Sequence, residues 1–113
     1  MKIIKETLTL AELQGMAAAL FGNLVKAVVD VEKEIVAVDA PLHADLEALL
    51  LQDGSKQKNL WGINLYPEMS GDDFVEFDSM INLRPTENNM SRGVDDPQIR
   101  KRILEVVQKR IRK

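Results

Sequence analysis

The stretch LVKAVVDVEKEIVAVD, residues 24–39, limits what this chain can fold into more than any other. Its valines and isoleucine favour extended backbone, because branching at Cβ restricts χ1 and suits a pleated surface. The stretch reads as two strands with Glu32–Glu34 at the turn. Val25, Ala27, Val29 and Val31 share one face of the first strand, and Lys26, Val28 and Asp30 share the other. The turn holds no Gly or Asn, so a tight type I′ hairpin is disfavoured and a looser connection of about three to five residues is expected.

Helical periodicity frames this hairpin. TLAE, starting at Thr9, is a capping box, with the Thr9 hydroxyl facing the Glu12 amide and the Glu12 side chain reaching back. Leu10, Leu13, Met16, Ala17 and Leu20 then recur at helical spacing, and Gly22-Asn23 tolerates the left-handed backbone that ends a helix. After Pro41, LHADLEALLLQDG reads as a second helix with Leu42, Leu46, Leu49 and Leu50 as its stripe and Gly54 as its stop. NLWGINLY follows as a third strand, with Trp61, Ile63 and Leu65 pointing one way and Asn64 and Tyr66 the other. Beyond the turn PEMSGDD, FVEFDSMINLR is expected as a fourth strand. Its core face would be Val75, Phe77, Ser79, Ile81 and Leu83, opposite Glu76, Asp78, Met80, Asn82 and Arg84. Asp96 and Pro97 suit the cap and first position of a last helix, buried along Ile99, Ile103, Val106, Val107 and Ile111. The order α-β-β-α-β-β-α predicts an α+β fold: one domain over residues 1–113, an antiparallel sheet of two hairpins, and helices packed on one face.

Composition is consistent with one folded core, since 113 residues with a hydrophobic fraction of 45% are too few for two ordinary domains. No apolar run approaches the roughly 18 residues of a membrane span. MKIIKETLTL lacks the continuous apolar stretch of a signal peptide. Without cysteine there is no disulfide, thiolate metal site or cysteine nucleophile, and a cytoplasmic location is the default expectation. Charge is uneven: residues 1–97 carry 8 basic and 17 acidic side chains, whereas residues 98–113 carry 7 basic and 1 acidic. That tail could serve nucleic acid, but the net charge of −3 repels a phosphate backbone at long range. Nucleic acid is therefore disfavoured as a partner, as is a membrane, while a homodimer stays open.

VKAVVDVEKEIVAVD, LHADLEALLLQDGSKQKNLWGINLYP and FDSMINLRPTENNMSRGVDDPQIRKRI together resemble a small bacterial family catalogued only as a domain of unknown function. Trp61-Gly62-Ile63-Asn64 and Ser79-Met80-Ile81-Asn82 are the most distinctive pieces, and the resemblance covers nearly the whole chain. It implies one complete domain and no established activity, ligand or catalytic residue.

Two places attract a functional reading. Alternation gathers Asn64, Tyr66, Glu76, Asp78, Asn82 and Arg84 on one side of the second hairpin, a cover of amides, phenol, carboxylates and guanidinium. NLRPTENNMSRGVDDP, residues 82–97, then connects strand to helix, and its 11 residues from Pro85 to Asp95 exceed most links in compact domains. Arg84 and Arg92 could clamp a carboxylate or phosphate there. Alternatively they pair with Asp78, Glu87, Asp95 or Asp96 and pin an ordered loop capped by Asp96. No glycine pattern for nucleotide phosphates is present, nor any metal-ligand spacing around His43, the sole histidine. The leading expectation is a non-enzymatic ligand- or protein-binding module using this polar face and the 84–96 loop, with Asn64, Tyr66, Asp78, Asn82, Arg84 and Arg92 as its binding residues. No catalytic residue, cofactor or metal is assigned. The alternatives are a small hydrolase or nuclease using His43 or Asp78 with Arg84 and Arg92, and nucleic-acid binding through the basic last helix.

Overall fold

The β-branched hairpin forms the centre of an antiparallel sheet in the computed structural model, which describes residues 1–112. Its strands are β3 (Val25–Asp30) and β4 (Ile35–Val38), with Val28 opposite Ala37 and Val29 opposite Val36. The turn is the looser kind expected. The Asp30 carboxylate accepts from the Glu32 and Lys33 amides, and Glu34 adopts a positive φ of 58°. Asp30 is itself buried, with its second oxygen taking the Ser55 hydroxyl at 2.6 Å.

Three strands extend this pair. β1 (Lys2–Ile4) lies outside β4, β5 (Leu60–Leu65) lies outside β3, and β6 (Val75–Glu76) lies outside β5, giving the order β1-β4-β3-β5-β6. A short parallel pair, β2 (Leu8–Thr9) and β7 (Ile111–Arg112), ties the two ends of the chain together beside the sheet. Neither β1 nor this pair was expected from the sequence. Segments of two or three residues carry too little alternation to register as strands.

The helices are α1 (Leu10–Ala19), α2 (His43–Gln52) and α3 (Pro97–Arg110). The capping box on α1 is complete, and Asp96 caps α3 through the Gln98 amide. The α+β class and antiparallel sheet are as expected. The helical cover is not on one face, however. Leu13 and Ala17 of α1 join Ile103, Val106 and Val107 of α3 in one core with Val25, Ala27, Val29, Val36 and Ile63. Leu46 and Leu50 of α2 form a second core with Val28, Ile35, Ala37 and Leu60 on the opposite face. Every residue of β4 is buried, which only a sheet covered on both sides allows. Lys26 and Asp30 flank Val28 and make that face read as polar in sequence, although its middle is apolar.

The fourth strand also departs from expectation. Only Val75 and Glu76 pair with β5, after which the chain enters a 3₁₀ turn at Met80–Asn82 and another at Pro85–Glu87. Ile81 packs with the α2-side core rather than with Val75, and Leu83 is exposed. No helix among the described residues is long and apolar enough to cross a membrane.

Candidate functional site

Stopping β6 after two residues leaves the outer edge of β5 without a strand at Leu60 and Gly62. Bare main-chain groups at a buried edge are costly, and two side chains from the following loop, Asn82 and Arg84, meet that need. Asn82, fully buried, accepts the Gly62 amide at 2.8 Å and donates to the Gly62 carbonyl at 2.9 Å, imitating a paired strand. The same Asn82 amide donates to the Arg92 carbonyl at 2.9 Å. Arg84 donates to the carbonyls of Leu60 and Gln57, both at 2.8 Å, while its guanidinium lies 4.0 Å from the Trp61 ring centroid. Burial lowers the Arg84 pKa, opposed by Glu87 and Glu47. A side chain at position 62 is barred, because a Cβ there would sit 2.5 Å from the Ser79 Cβ.

Inside the loop the hub is Asn89. Its amide donates to the carbonyls of Asn82, Ser91 and Gly93, and its oxygen accepts the Asp95 amide at 2.9 Å. Asn88, in the left-handed region at φ 63°, turns the chain so that Asn89 bridges back to Arg84. The Asp95 carboxylate receives the Ser91 hydroxyl and the Met90 amide, which lower its pKa. The segment is thus an ordered loop satisfied largely by its own groups. Arg92 ion-pairs with Asp78 at 2.9 Å, with both side chains about half exposed (56% and 43%).

At the other end of the same sheet face, polar groups converge. Glu76 accepts both from the Asn64 amide at 2.8 Å and from the Tyr66 hydroxyl at 2.9 Å. That bond to a carboxylate raises the Tyr66 pKa, since a phenolate beside Glu76 would be repelled. The Asn64 amide oxygen is buried and has no hydrogen-bond partner. His43, at the start of α2, bonds the Ile63 carbonyl through Nε2 at 2.8 Å. A carbonyl only accepts, so Nε2 carries the proton. Burial pushes the ring below its ordinary 6.5, the Ile63 carbonyl opposes this, Lys26 adds to it, and Asp78 and Asn64 favour the protonated ring. The neutral ring has no second N–H for the bare Asn64 oxygen; a protonated ring would offer one.

Of the six residues expected to bind, Asn64, Tyr66 and Asp78 border this polar ledge, with Arg92 at its margin through Asp78. Asn82 and Arg84 are turned inward against β5. The two guanidiniums do not converge on one cleft: one takes carbonyls, the other a carboxylate. Sequence reading passed over Asn89, and the run Asn88-Asn89 after Pro85 was the available signal, since asparagine both tolerates the left-handed region and bonds nearby backbone. The role of Trp61 as a platform for Arg84 carried no such signal.

The profile of a family described as a protein of unknown function, DUF5674, matches residues 2–110. The chain belongs to that family. No curated protein and no solved structure matches the chain. The DUF5674 match spans the sheet, all three helices, the loop and the ledge together, so these form part of what the family profile describes.

Proposed function

We propose that this DUF5674 chain acts as one non-enzymatic binding domain whose recognition surface is the ledge of Asn64, Tyr66, Glu76 and Asp78 beside the ordered loop. The observation that carries the reading is the Asn64 amide oxygen, a buried acceptor with no hydrogen-bond partner while the His43 ring is neutral. Buried polar atoms are nearly always satisfied, so an orphaned one at the margin of a polar surface marks a place for an outside donor. With carboxylates at Glu76 and Asp78 nearby, the fitting ligand bears N–H groups: an amine, a guanidine or an amide. The Tyr66 and Asn64 bonds to Glu76 hold the ledge in one geometry before anything binds, which lowers the ordering cost of association.

The hydrolase alternative has less support, because the His43 N–H and both terminal nitrogens of Arg84 are taken up by main-chain carbonyls, and the remaining Arg84 Nε is buried. Titration of the ¹⁵N-labelled chain with butylammonium, butylguanidinium and butyrate distinguishes the readings. Saturable shifts at Asn64, Tyr66 and Glu76 with the two cations, lost in Asn64→Leu, are expected. Preference for butyrate at those positions, or His43-dependent turnover of a phosphodiester, would overturn the proposal.

A further inference from the structure

The cations of α3 divide into two groups. Arg102 donates to the Val31 carbonyl, Lys109 ion-pairs with Glu34, and Arg110 donates to the carbonyls of Glu34 and Glu6. These three fasten α3 to the β3–β4 turn and the N-terminal segment. Arg100 and Lys101 of α3, with Arg112 of β7, make no side-chain hydrogen bond or ion pair within the described residues. All three line a groove of about 1180 Å³ between α3 and the chain around β6.

The floor of that groove is apolar: Val75, Phe77, Leu104, Val107 and Ile111. Leu104 is 44% exposed on a helix whose other outward positions are mostly charged. Three cations without a side-chain hydrogen bond or ion pair around an apolar floor, on a chain whose net charge is −3, are poorly explained as a solvated face alone. The volume exceeds the ~300–1,000 Å³ usual for small-molecule pockets and suits a peptide segment. Asp72 and Glu105 also border the groove, so its rim has mixed sign. A peptide can match such a rim residue by residue, whereas an anionic membrane would be repelled by the acidic body.

We propose that this groove docks an acidic amphipathic segment of a partner protein, its apolar side chains on Leu104 and Phe77 and its carboxylates on Arg100, Lys101 and Arg112. The proposal is independent of the polar ledge, which lies on the α2 side of the sheet.

Fluorescence anisotropy tests it with three labelled peptides of equal length: one of Leu, Phe, Glu and Asp, one with Lys in place of the acids, and one with Ser in place of the apolar residues. The acidic amphipathic peptide should bind about tenfold or more tightly than either control. Leu104→Glu, and separately the double variant R100E/K101E, should each weaken it by about tenfold or more while leaving the thermal midpoint near that of the parent. These positions are exposed, so retained folding is the expected control. Equal binding of the Lys peptide, binding unchanged in both variants, or no binding of any peptide would overturn the proposal. So would tighter binding to phosphatidylserine vesicles, or a Leu104-dependent self-association that masks the groove in sedimentation velocity.

Discussion

Asn82 satisfies both main-chain groups of Gly62 and the Arg92 carbonyl with one amide, so its loss would strand three buried or half-buried partners. Each stranded group retains its desolvation cost, and Asn82→Ala should destabilise by about 2–4 kcal/mol in urea melts. Arg92→Ala removes only a half-exposed ion pair and should cost about 1 kcal/mol or less. Equal effects of the two substitutions would contradict the division between an inward clamp and an outward pair. His43 makes a pH prediction at the same scale. Its native pKa lies below the unfolded value, so the unfolded chain binds more protons between the two. Stability from this group is therefore present above about pH 6.5 and is lost as the pH falls through the lowered native pKa. As the sole histidine, it should leave His43→Gln with a flatter stability profile just below about pH 6.5, read from urea midpoints.

At the scale of elements, α3 is both a core helix and a charged one. Ile103 is fully buried between α3 and the sheet, so Ile103→Ala should cost about 2–4 kcal/mol, with chemical denaturation as the measurement. An unchanged midpoint would mean that this helix contributes little to the core. Periodicity made α1, α2 and α3 legible, because a stripe at helical spacing is a local property of ten or more residues. It misled at FVEFDSMINLR, where alternation continues past Glu76 but pairing does not. The physical reason lies in Asn82 and Arg84. Their side chains occupy the edge of β5, and a continuing strand would occupy the same hydrogen-bonding groups. Within the candidate site, Asn64 and Tyr66 were legible from alternation along NLWGINLY, whereas Asp78 was placed by an alternation that outlasts the strand. His43 was not legible, since nothing in LHADLE indicates that its ring reaches a carbonyl of β5.

For the whole molecule, charge is the quantity that decides partners. In sequence the basic residues 98–113 follow an acidic body, and Arg102, Lys109 and Arg110 use their charge or donors within the chain. Three described cations at the groove, beside Asp72 and Glu105, are few for a phosphate backbone. No appreciable sequence-independent binding to duplex DNA is expected at physiological salt, as measured by anisotropy across a salt series. Roughly micromolar binding with a steep inverse salt dependence would instead point to nucleic acid as the partner of α3.

Local pattern determined a good deal by itself: the hairpin of residues 24–39, the capping of α1 and α3, the inward valines of β3 and the α+β class. These follow from alternation, periodicity and capping, each of which acts over a few neighbouring residues. Tertiary structure alone decided that α2 covers the opposite face from α1 and α3, because a strand apolar on both sides does not say which helix reaches which side. It also decided which arginines are structural. Arg84 finds the Leu60 carbonyl 24 positions away, while Arg100 and Lys101, chemically akin to Arg102, are left facing a groove. Such assignments depend on the chain path bringing distant donors and acceptors together, and residue type and spacing do not encode that directly.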